Sequence, residues 1–115
     1  YMNKQLYSLS LLKNQIKLPS LLYKLDAHIL LEEILKPILG IKNITTNKFI
    51  YYSHRSDNME SIKTEVDKGN FTIGFGLKAV SVDQIKKIAD ANLSMPPKST
   101  YILPKLRNGL TIYEL

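Results

Sequence analysis

A chain of 115 residues, 44% of them hydrophobic, has material for one core and is too short for two domains. It has no cysteine, which excludes disulfides and thiol catalysis, and its two histidines, His28 and His54, are too few and too far apart for a zinc site. The net charge of +6, from 16 Lys and Arg against 10 Asp and Glu, suits anionic partners but across the whole chain reads as a solvated, lysine-rich surface.

In chain order, Leu6 to Leu12 alternates imperfectly and is predicted as a strand. Asp26 is a good N-cap for a helix running through Leu39, with Leu31, Ile34, Leu35 and Ile38 on its core face. Pro37 must kink or end that helix, and Gly40 is its natural stop. Lys42 to Asn47 is polar loop, and Phe49 to Ser53, aromatic and β-branched, is a second strand. Ser56 or Asp57 can cap a second helix with Met59, Ile62 and Val66 in one stripe and Gly69-Asn70 at its end. Phe71 to Leu77 is a third strand, and Ser81 caps a third helix with Val82, Ile85, Ile88 and Ala89 facing inward and Lys86, Lys87 and Asp90 in solvent. Pro96-Pro97 forbids helix beyond; Thr100 to Leu103 is extended, Asn108-Gly109 a turn, and Leu110 to Tyr113 a last strand. The expected fold is therefore α+β, a mixed sheet of about four strands with three helices, in a single domain spanning residues 1–115. No run is long and apolar enough to span a membrane, since His28 to Ile41 contains Glu32, Glu33 and Lys36. With no signal-peptide pattern either, the chain reads as cytoplasmic.

Several residues are candidates for chemistry. Lys98, Ser99 and Thr100 follow the Pro96-Pro97 brace and offer an ammonium and two hydroxyls, while Lys105 and Arg107 add cationic donors beyond Pro104. From Ala91 to Tyr113 these are the three basic residues, with no acidic one among them. The functional reading is a site for a phosphate or carboxylate; the plainer one is a rigid excursion with solvated lysines. His54 and Arg55, where the second strand hands over to a helix, form a secondary candidate for an anion, against an ordinary capped turn. His28 is expected to be packed or at the surface. Glu32-Glu33, adjacent on a helix, is not a catalytic pair. Gly74-Phe75-Gly76 lies inside a strand without the third glycine of a dinucleotide turn, so close backbone packing is the better reading.

Leu25-Asp26, Ile34-Leu35, Leu39-Gly40-Ile41, Val66-Asp67-Lys68-Gly69, Val82 through Ala89, and above all Met95-Pro96-Pro97-Lys98-Ser99-Thr100-Tyr101 with Pro104-Lys105-Leu106 and Gly109-Leu110 carry a resemblance. Over roughly Leu21 to Leu115 the chain resembles the C-terminal part of a bacterial family of unknown function numbered ten-fifteen, some of whose members are labelled ParB-like. The family usually has an aromatic where Ile102 and Leu103 stand, and often a histidine at Leu31. The resemblance implies a C-terminal fragment of a longer protein whose N-terminal region is a partner. It also implies a contribution to a phosphate- or nucleotide-ligand site.

The alternative is a non-catalytic interaction or dimerisation domain, a homodimer among its forms. Direct nucleic-acid binding ranks last, because no reading motif is present and few aromatics stand near the basic residues. The residues name no cofactor and do not decide whether the chain is an enzyme.

Overall fold

Helices form where the local signals are complete. In the structure, a computed structural model that describes residues 1–12, 20–53 and 59–100, the order is a 3-10 turn at Leu21–Lys24, helix α1 at Asp26–Leu30 running into a π-helical turn at Leu31–Leu35, helix α2 at Met59–Asp67 and helix α3 at Val82–Asp90.

Helix α3 begins as predicted. Ser81 is extended, and its hydroxyl accepts from the Gln84 N–H at 3.2 Å. The Gln84 side chain in turn accepts from the Ser81 N–H at 2.9 Å. This reciprocal box satisfies two donors that the first turn leaves without helical partners. The helix ends with Asn92 at φ 52°, where the Leu93 N–H donates to Ile88 at 3.0 Å and the Asn92 N–H to Ala89 at 2.9 Å. Helix α2 ends in the same way around Gly69, φ 79°, with the Asn70 N–H on the Glu65 carbonyl at 3.1 Å. Ser56 and Asp57, the expected caps of α2, lie outside the described residues.

The first helix departs from expectation at both ends. Asp26 is the first residue of α1 rather than its cap, and its carboxylate accepts from the Lys78 N–H at 3.3 Å. The helix does not run through Leu39. It widens to π geometry over Leu31–Leu35, directly before the Lys36-Pro37 step, with the Lys36 N–H on the Leu31 carbonyl at 3.0 Å. Pro37 supplies no N–H and crowds the carbonyl one turn back, and a wider turn relieves that crowding. Gly40, φ 66°, then lets the chain leave. Leu31, Ile34 and Leu35 are half-buried, whereas Ile38, past the widening, is exposed.

The expected α+β fold with its mixed sheet is overturned. The described residues hold helices and no strand, and Met2 and Gln5 form an isolated bridge around Asn3 and Lys4, both at positive φ. The physical reason differs by segment. At the start of Phe49 to Ser53 two backbone donors are taken locally: Asn47 accepts the Phe49 N–H on its side chain at 2.8 Å and the Ile50 N–H on its carbonyl at 3.4 Å. Asn side chains offer the backbone such an alternative to a ladder. Leu6 to Leu12 has an alternating pattern but no neighbouring strand among the described residues. Phe71 to Leu77 bends at Thr72 and meets α2 through its glycines instead of joining a sheet. Gly74 and Gly76, two residues apart, meet Ile62 and Met59 so closely that a Cβ would collide with either. That spacing is extended backbone with one face on the helix, and it bears out both the Met59, Ile62, Val66 stripe and the packing role of the glycines. At Gly74 the segment exchanges two hydrogen bonds with Tyr1, at 2.8 and 2.9 Å. Tyr101 to Leu103 and Leu110 to Tyr113 lie outside the described residues.

The centre of packing is small. Leu25 and Ile88, 1% and 2% exposed, bring α3 against the 3-10 turn. Gln84 clamps the contact by donating to the Lys24 carbonyl at 3.0 Å. Ile85 is half-buried, but Val82 and Ala89 are exposed, because the sheet that their stripe was expected to face is not there. Lys86, Lys87 and Asp90 are in solvent as predicted.

Candidate functional site

The brace Pro96-Pro97 makes a tight turn. Pro97 fixes its first corner, Lys98 takes the second with φ 58°, and the Ser99 N–H closes it on the Pro96 carbonyl at 3.3 Å. Turns with a positive φ at the second corner favour Gly or Asn there, so a lysine holds this place against a steric cost. The Ser99 hydroxyl also donates to the Pro96 carbonyl, at 2.5 Å. Both donors of Ser99 are thus committed inside the turn, and the residue is half-buried. Lys98 and Thr100 are exposed and have no partner among the described residues. The structure therefore places Lys98 and Ser99 in one turn with Thr100 directly after it, and leaves the Lys98 ammonium and the Thr100 hydroxyl exposed. Lys105 and Arg107, expected to share that site, and the secondary pair His54 and Arg55 lie outside the described residues.

A second polar group surrounds Tyr23. Its hydroxyl donates to Glu33 at 3.2 Å, and its ring meets the His28 ring edge-on, with centroids 5.0 Å apart. Burial, then the hydrogen bond to Glu33, push the Tyr23 hydroxyl above its ordinary pKa. His28 is a half-buried packing residue, as expected from its place on an apolar helix. Glu32 and Glu33 go separate ways, the former pairing with Lys36 at 2.5 Å, so they form no carboxylate pair. Among the described residues, no group of three His, Asp or Glu side chains could hold a metal ion.

A hollow between the 3-10 turn and α3 is lined by Leu21, Lys24, Gln84, Lys87 and Ile88 and measures about 20 Å³. That is room for one water and not for a nucleotide. No helix among the described residues is long and apolar enough to cross a membrane.

What the sequence reading missed is where most of the open apolar residues lie. Phe49 is 90% exposed, Val82 81% and Tyr51 71%, with Leu6, Leu9 and Leu12 also open. Tyr51 stacks on Phe71 at 5.5 Å and still stays exposed. The signal was present in the strand assignments themselves, since apolar strands without a partner must show their side chains to water. No family model matches the chain, and neither the curated proteins nor the solved structures contain a match to it.

Proposed function

We propose that this chain is a non-catalytic protein-interaction unit whose apolar surface is covered by another polypeptide. One observation carries the reading: among the described residues Leu25 and Ile88 make up the buried apolar core, while Phe49, Val82 and Tyr51 are largely exposed. Where open apolar side chains form a contiguous patch, that patch commonly marks an interaction site. The covering chain is the rest of a longer protein or a second copy, and the setting is cytoplasmic, in line with the absence of cysteine. Sedimentation velocity with and without an apolar fluorescent dye tests this. The expected result is an associated species, or a monomer that binds the dye strongly; a monomer that ignores the dye overturns the reading.

A second reading keeps the turn at Lys98 as a contact for a phosphate-containing ligand, as the resemblance to the ParB-like family implies. Its support is a lysine at a positive-φ corner, where glycine would be easier.

A further inference from the structure

We propose that the loop from Ile41 to Ser53 is where this chain takes its partner, and that the partner is an acidic polypeptide segment with apolar side chains between its carboxylates. The proposal rests on the association reading above and selects the partner by charge.

The loop is shaped by its asparagines. Asn43 accepts the N–H and the hydroxyl of Thr45, at 3.0 and 2.7 Å. Asn47 accepts the Phe49 and Ile50 N–H groups, which turns the chain at Lys48 and Phe49 and leaves both residues exposed. The Tyr52 hydroxyl donates to the Ile44 carbonyl at 3.0 Å and ties the two halves of the loop together. The Tyr51 ring stacks on Phe71, with 26° between the ring planes, and fastens the loop to the segment that follows α2. A surface already held by its own hydrogen bonds has less freedom to lose when a partner binds.

What this scaffold leaves open is aromatic and positive. Phe49 and Tyr51 are the exposed rings. Lys42 and Lys48 are exposed and have no carboxylate partner among the described residues. Ile41 to Ser53 contains no acidic residue. At the end of α2, Glu65 is already engaged by Asn70 and Lys68, at 2.8 and 3.5 Å. Aromatic side chains are enriched at protein interfaces, and the charges around them decide which partner is accepted. A chain that covers Phe49 and Tyr51 meets the ammonium groups of the same loop, and carboxylates complement them where a basic segment is repelled. A second copy docked on this loop through its own loop would set lysines against lysines, because twofold symmetry matches a patch with its own image. The partner is therefore a different segment. Two lysines also give a nucleic-acid strand few contacts, in a mode whose affinity grows with each phosphate neutralised.

The test measures fluorescence anisotropy of labelled peptides with the full chain. One peptide alternates glutamate with leucine and phenylalanine; a second has lysine for each glutamate; a third has serine for each apolar residue. An oligothymidine strand and vesicles of anionic phospholipid are measured beside them. The acidic apolar peptide is expected to bind about tenfold more tightly than either control, and Phe49→Ser, at a position 90% exposed, to weaken it about tenfold. Lys42→Glu combined with Lys48→Glu should move the preference to the lysine peptide. Equal binding of the acidic and basic peptides, or acidic binding that Phe49→Ser leaves unchanged, overturns the proposal. Tighter binding of the oligothymidine or the vesicles overturns it in favour of nucleic acid or a membrane surface. A chain that associates or takes up the apolar dye but binds none of the peptides overturns the acidic partner and leaves the association reading standing. A monomer that ignores both dye and peptides overturns both.

Discussion

Replacing Ile88 by alanine tests the packing that holds the described residues together. Ile88 is 2% exposed, and its carbonyl accepts the hydrogen bond that ends α3. The substitution removes three buried carbons, worth about 0.8 kcal/mol each, or about 2.4 kcal/mol together. A cavity term adds to this, but Leu21, Lys24 and Lys87 border the site with long side chains that can slide into the space. The expected cost is therefore about 2.5–3 kcal/mol, in the lower half of the range for isoleucine truncations. Val82→Ala is the control from the same helix. Val82 is 81% exposed, so its truncation should change stability by less than about 0.5 kcal/mol. Ile85→Ala, at a half-buried position, should fall between the two. Urea unfolding followed by far-ultraviolet circular dichroism measures all three. A cost below about 1 kcal/mol for Ile88, or a larger cost for Val82 than for Ile88, would refute the placement of α3 against the 3-10 turn.

Lys98→Gly should keep the turn, because glycine adopts the positive φ without steric cost, yet should weaken binding to an immobilised polyphosphate; equal retention of both chains would dismiss Lys98 as an anion contact. The hydrogen bond from Asn70, with Lys68 assisting, holds the Glu65 carboxyl below its ordinary pKa. A folded pKa that is depressed contributes stability above the unfolded value, about 4.3, and loses it as pH falls through the folded value. The end of α2 should therefore loosen only in acid, and Asn70→Ala should move the Glu65 titration, followed by nuclear magnetic resonance, back toward the ordinary range; an unmoved midpoint would sink this account of the helix end.

The helices were legible because their signals are local. Ser81 with Gln84, and Gly69 with Asn70, need only three to five neighbouring residues to satisfy the orphan groups of a helix end, and all of these stand in the sequence. Pro37 was legible as a disturbance but not as a widening, since a missing N–H can be accommodated by a kink, a stop or a π turn. The sheet was misread for the opposite reason. Alternation in Leu6 to Leu12 or Phe49 to Ser53 describes one side of a pairing whose other side is non-local. Asn43 and Asn47 meanwhile sit where they can capture nearby donors, Asn43 accepting the Thr45 N–H at 3.0 Å. In Phe71 to Leu77 the chain bends at Thr72, and Gly74 and Gly76, two residues apart, pack on a helix instead of a strand.

The basic run shows how far a list of donors stands from a site. Lys98, Ser99 and Thr100 read as three adjacent donors. The turn at Pro96 to Ser99 folds two of the donors, the N–H and hydroxyl of Ser99, onto the Pro96 carbonyl. The same hydrogen bonds that make the segment rigid lower its capacity for an anion, so rigidity and binding compete for one residue. Any phosphate held there needs charge from Lys98 and from beyond the turn, not from the serine. The apolar surface carries no such competition: Phe49, Tyr51 and Val82 have little to contact within the described residues, and covering them gains hydrophobic free energy without breaking an existing bond. That asymmetry is the physical reason for proposing association ahead of anion capture.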